Sequence, residues 1–264
     1  MLVKLLKYDL KYMIRNMSIF YILALFFAIT TRIIFGLDKS VIVSIIGNIS
    51  VGCMFSMIAS ILFNTMIRCC IRFRDSLFKD ESYLTHTLPV TKNEIYNSKL
   101  LQTLIFFFIG FIIVVLSLFI VYYSKDNWIA ITNYVKNITI GLNMSTFFFV
   151  TMFLLVVFLE LYNAIQCGYY GIILGHKKNN GKIGYSILFG FILYLVSQTI
   201  VLALVFVYGL FDSSIMSLFK TATVSIDANA FKILLVVASL LYIVIIYIMS
   251  LLSKKSLNKG VDVE

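Results

Sequence analysis

The feature that most constrains this chain is its succession of long apolar runs. Inside a bilayer every backbone polar group must find a partner within the protein, so only helices and closed barrels cross it. A helix needs about 20 residues to cross and a strand about ten. Residues 17–37, 41–67, 100–123, 186–211 and 231–252 form apolar runs of helical length. A further run, residues 138–175, is too long for one crossing. Its crossing is placed at residues 149–173, leaving 138–145 as an outer interfacial piece. The expected fold is therefore an all-α integral membrane protein with six transmembrane helices in a single polytopic domain spanning residues 1–264. Composition agrees. The chain is 61% hydrophobic and 13% charged, against about half and a quarter in soluble domains.

The N-terminus precedes the first run as residues 1–16. Lys4, Lys7, Lys11 and Arg15 recur every three or four residues and share one helical face, while Leu2, Leu6, Leu10, Met13 and Met17 share another. That pattern predicts an amphipathic interfacial helix on an anionic membrane surface. The run behind it is too long for a secretory signal core and has no clear cleavage site. Arg32 lies near the far end of the first span, where its long side chain can snorkel to the interface.

Six spans put both termini on one side. On that side fall the N-terminal cations, Arg68, Arg72, Arg74, Lys79, Lys92 and Lys99 of the central loop, Lys177, Lys178 and Lys182, and Lys254, Lys255 and Lys259 of the tail. The other side has Lys39, Lys125, Lys136, Lys220 and Lys232. The positive-inside rule then makes both termini and the central loop cytosolic. The net charge of +10 is thus explained by topology and argues against a nucleic-acid partner. Cys53, Cys69, Cys70 and Cys167 lie in apolar runs or on the cytosolic side, so no structural disulfide is expected.

The longest polar stretch is residues 75–101. Past Ile67 the second helix is expected to continue. Arg68, Arg72, Asp75 and Lys79 share one face and Ile67, Cys70, Phe73 and Leu77 another, able to float on the membrane or pack on a partner. Pro89 ends any helix arriving from Tyr83–Leu88. Thr91 and Glu94 form a capping box that starts a new helix near Lys92. From these residues alone, a well-capped solvated loop and a stiff contact element are both open.

Residues 81–101 also resemble the segment between the second and third spans of permease subunits of ATP-binding-cassette (ABC) transporters of the type-2 exporter class. Tyr83, Leu84, Thr85, Thr87, Leu88, Pro89, Val90, Thr91, Ile95, Ser98 and Lys99 fit the pattern. The resemblance implies a permease working as a homodimer or with a related subunit. It also implies a separate cytosolic ATPase that holds ATP and magnesium, and alternating access driven by hydrolysis. The central loop would be the coupling element. Tyr83, Leu84 and Leu88 would dock in the ATPase, Asp80 and Glu81 would lie at the polar rim, and Pro89, Thr91 and Glu94 would stiffen the loop. The expected location is the cell membrane.

Two features within the spans carry polarity. Ser44, Asn48, Gly52, Ser56, Ser60 and Asn64 recur every four residues, and small residues so spaced let another helix approach closely. The contact could lie within one subunit or between subunits. Glu160 is the one acid near mid-span, with Asn163 and Gln166 following on the same helix. A charge there costs roughly 2.5–3.5 kcal/mol on insertion scales, so it should face protein or water. A pathway or gating role and a hydrogen-bonded structural role are both open. Between the last two spans, residues 215–219 are apolar enough to dip into the interface, as in the resembled permeases.

No catalytic motif is present. Residues 175–183 imitate a phosphate-binding loop, but five residues separate the glycines and Ile183 replaces the magnesium-holding Ser or Thr. His86 and His176 lie in different loops and are expected to be solvated. The chain is therefore expected to be a non-enzyme with no cofactor or metal of its own. The alternative to the permease is a stand-alone six-span binding, immunity or sensor protein. The apolar, Phe-rich interior disfavours a metal-ion pathway and suits amphipathic peptides, lipids or hydrophobic drugs.

Overall fold

The computed structural model describes residues 2–37, 40–79, 81–87, 89–142, 144–211 and 228–259. These residues form eight helices and no strand: α1 (Leu2–Phe35), α2 (Val41–Phe78), α3 (Ser82–Thr87), α4 (Lys92–Tyr122), α5 (Lys125–Gly141), α6 (Thr146–Gly175), α7 (Lys182–Phe211) and α8 (Ala228–Asn258). Six of them, α1, α2, α4, α6, α7 and α8, are long and apolar enough to cross a membrane. The described chain is that of an all-α, multi-pass membrane protein.

The residues divide into two compact units, 1–128 and 129–262. In the first, α1 packs on α2 and α4, and α3 folds back on α2. The separate N-terminal helix expected from its basic face does not occur. Leu2–Phe35 is one unbroken helix of 34 residues. A change in surface polarity does not end a helix, and no Gly or Pro falls within it. Its buried side is the row Asp9, Met13, Met17, Tyr21, Ala24, Ala28 and Thr31, the three-and-four spacing of one helical face. Thr31 Oγ1 meets Ser50 Oγ of α2 at 2.7 Å. Ala28, Met54 and Val121 close the core between them. Arg32 donates from Nη1 to the Val121 carbonyl at 3.4 Å.

Helix α2 runs 38 residues, about 57 Å at 1.5 Å per residue, so it outlasts a bilayer core of about 30 Å. Its extension past Ile67 packs within the first unit. Arg72, Phe73, Ser76, Leu77 and Phe78 are all buried, with the Phe73 ring edge-on to Tyr96 of α4 at 6.1 Å.

In the second unit, α6 packs on α7 and α8. The α6–α7 crossing is very close. A Cβ on Gly171 would lie 2.6 Å from Gly190 Cα and 2.8 Å from the Ser186 carbonyl oxygen, and one on Gly175 would lie 2.6 Å from Ser186 Cα. Gly171 and Gly175 are four apart, as are Ser186 and Gly190, the small-residue spacing that lets helix backbones touch. Cys167, Val201, Val205, Tyr242, Ile245 and Met249 form the core beyond the crossing. The turn into α7 uses Gly181 at φ +66°, a left-handed conformation that suits glycine. His176, expected to be solvated, is buried. It ends α6, with both its backbone N–H and ring Nδ1 reaching the Ile172 carbonyl. Helix α5, Lys125–Gly141, begins before the 138–145 piece expected to be interfacial and covers only its first four residues.

Candidate functional site

The N-terminal end of α1, the C-terminal end of α2 and the N-terminal end of α4 meet in the first unit around a buried ionic cluster. Asp9 is its centre. Lys99 Nζ reaches both Asp9 oxygens, at 2.7 and 2.8 Å. Arg72 Nε donates to Asp9 Oδ1 at 2.9 Å. The same guanidinium donates from Nη1 to Glu81 Oε2 at 2.6 Å and lies over the Tyr12 ring, 4.6 Å from its centre. The Asp9 and Lys99 side chains are 2% and 1% exposed, whereas Glu81 is 49% exposed.

The charges decide what this cluster does. Burial pulls the Lys99 ammonium below its ordinary range and the Asp9 carboxylate opposes that. With all groups ionised, Asp9, Arg72 and Lys99 carry one excess positive charge, and Glu81 balances it. Buried charge is tolerated only when paired and hydrogen-bonded. Glu81 belongs to the loop and the other three to the long helices, so the loop completes the charge balance of the cluster. The site is an anchor. Among the described residues no group of three His, Cys, Asp or Glu could hold a metal.

The rest of the loop follows from local chemistry. Ser82 N–H donates to the Lys79 carbonyl at 2.7 Å, and Ser82 is fully buried, seating the start of α3. The capping box forms: Glu94 N–H donates to Thr91 Oγ1 at 3.3 Å, and Thr91 N–H donates to Glu94 Oε2 at 2.9 Å. Tyr83 is 76% exposed, and Pro89 is exposed between the two helices. Leu84 lies in α3. Asp80 and Leu88 lie outside the described residues, as do residues 215–219. Glu81, expected at the polar rim of an ATPase contact, is half exposed and also accepts from Arg72.

The polar positions of α6 form a second set of hydrogen bonds in the other unit. Tyr194 of α7 donates to Glu160 Oε1 at 3.3 Å. One turn on, Asn163 Nδ2 donates to Ser197 Oγ at 2.9 Å, and Cys167 Sγ lies 3.8 Å from Asn163 Oδ1. Tyr242 of α8 donates to Gln198 at 3.1 Å. Gln166 is buried on the same helix. The stripe on α2 behaves differently. Ser44, Asn48, Gly52 and Ser56 are exposed, Ser60 is half-buried, and nothing lies within 4 Å of a Cβ on Gly52. Among the described residues of the first unit, no helix backbone comes close to this part of the stripe.

Sequence reasoning missed Asp9. Its signal was present: it shares the apolar face of its helix with Leu2, Leu6 and Met13, and an acid on such a face requires a buried cation.

The site and the six helices define a multi-pass membrane protein with the loop after α2 pinned to its helices by charge. Compared with protein families, curated proteins and solved structures, the chain matches no family model, no curated protein and no solved structure.

Proposed function

We propose that this chain is the permease subunit of an ATP-driven ABC exporter of the type-2 class. It forms the substrate pathway and couples to a separate cytosolic ATPase. The observation that carries this reading is the loop between the second and third long helices. Its residues resemble the coupling segment of those permeases, and it is joined to the helices by the Glu81–Arg72–Asp9–Lys99 cluster rather than hanging free. Force applied to a loop moves a bundle only through stiff contacts, and a charge-assisted network is one.

On this reading the chain is not an enzyme, and ATP and magnesium belong to the partner. Both termini are cytosolic and the protein resides in the cell membrane. The exposed Ser44–Asn48–Gly52–Ser56 face supports pairing with a second permease subunit, identical or related. The Glu160 ladder is the best candidate for polarity along the pathway. Affinity purification of the tagged chain from its native membranes, with every co-purifying ATPase quantified, tests the proposal. An ABC ATPase near equimolar ratio is expected. Recovery of the chain without one would favour the stand-alone membrane protein.

A further inference from the structure

We infer that the outward face of α1 is a binding site for an anionic phospholipid, with Lys11 and Arg15 holding the headgroup phosphate and Ile19, Ile22 and Phe26 receiving the acyl chains. Because α1 is continuous, its basic face and the apolar face of the span behind it lie along one helix. Lys4, Lys7, Lys11 and Arg15 are all exposed and sit on the side of the helix opposite Asp9 and Met13. Their line runs directly into an exposed apolar strip, Ile19, Ile22, Phe26, Ile29 and Ile33, each at least 50% exposed.

The dimensions match one lipid. Ile19 to Ile29 spans about 15 Å of helix, half of a hydrocarbon core about 30 Å thick. Arg15 and Lys11 lie within the next two turns, at headgroup depth, while Lys7 and Lys4 extend beyond it. Tyr8 and Ile14, 73% and 55% exposed, flank the cations, as amphipathic aromatic and apolar side chains do at a membrane interface.

Charge selects the ligand. The only acid of α1, Asp9, faces the other way and is held by Arg72 and Lys99. None of the four cationic side chains has an ion-pair or hydrogen-bond partner among the described residues. An uncompensated row of cations above an apolar strip complements a lipid with a net negative headgroup better than a zwitterionic one.

The test uses the full chain in nanodiscs of equal phosphatidylglycerol and phosphatidylethanolamine, with retained lipid quantified by mass spectrometry after extraction into mild detergent. The wild type is expected to retain phosphatidylglycerol in clear excess. Each cation near the surface contributes roughly fivefold, so Lys11→Gln/Arg15→Gln should lower that excess more than about tenfold. Lys4→Gln/Lys7→Gln should lower it less, and Lys11→Arg/Arg15→Lys should keep it. Raising the salt should weaken the wild-type excess by screening, a readout that needs no variant to fold. An unchanged lipid ratio in Lys11→Gln/Arg15→Gln, an equal loss in the control Lys125→Gln/Lys136→Gln, or salt-insensitive retention would overturn the site.

Discussion

The two polar clusters solve the same problem with different chemistry. Around Asp9, four charges are held in and near the core and must balance. Around Glu160, hydroxyl and amide groups from three helices hydrogen-bond in pairs, and Glu160 itself is only half-buried. A charged cluster stabilises only when complete, because removing one member leaves another charge buried and unpaired. A ladder of separate pairwise hydrogen bonds degrades gradually, about 1 kcal/mol at a time. The first arrangement suits an anchor that must be seated or unseated as a whole. The second suits a lining that tolerates change.

The largest effect expected from this contrast is at Asp9. Asp9→Leu leaves Lys99 without its carboxylate and Arg72 with Glu81 alone. Stability should fall by about 3–5 kcal/mol, read as thermal unfolding of the purified protein in detergent. Adding Lys99→Met removes the stranded cation and leaves Arg72 paired with Glu81. The double variant should recover most of the loss. If it is no more stable than Asp9→Leu, packing rather than charge balance sets the effect.

Glycines provide an intermediate comparison. Gly171→Ala places a methyl group against Gly190 and the Ser186 carbonyl, backbone atoms that cannot rotate away. It should cost about 1–3 kcal/mol by overpacking. Gly52→Ala meets nothing and should be neutral or stabilise the isolated subunit, by up to about 1 kcal/mol. If α2 uses that face to meet a second subunit, the same change should lower the dimer fraction in light scattering without lowering the unfolding temperature.

A small stability effect is also expected at Glu160. Glu160→Gln keeps an oxygen for the Tyr194 hydroxyl and should cost less than about 1 kcal/mol. Transport assayed in vesicles then separates the roles. Retained transport makes the residue a structural hydrogen-bond acceptor, and lost transport in a stably folded variant makes it a gating or proton-carrying group.

The six long helices were legible because hydropathy over some twenty residues is a sum that local detail cannot hide. The capping box at Thr91 and Glu94 was legible because both partners lie within one turn. The ionic cluster was not. Asp9 is 63 residues from Arg72 and 90 from Lys99, and the register between helices is set by packing that no single helix encodes. Arg72 and Lys99 were read as cations of a cytosolic loop, which fits their position along the chain but not their burial. Small-residue spacing misled in a different way. The four-residue stripe on α2 is longer than the Gly171–Gly175 pair, yet the pair makes the close crossing, because its partners Ser186 and Gly190 are small as well.

The central claim is that the loop after α2 is where an ATPase meets the membrane helices. Tyr83 is the exposed aromatic of that loop, so a photo-crosslinking benzoylphenylalanine at position 83, activated in native membranes, tests the contact directly. The expected result is an adduct with an ABC ATPase, absent when the same probe replaces Lys136 on α5. An unaltered adduct pattern at both positions, or crosslinks at position 83 to lipid alone, would contradict it.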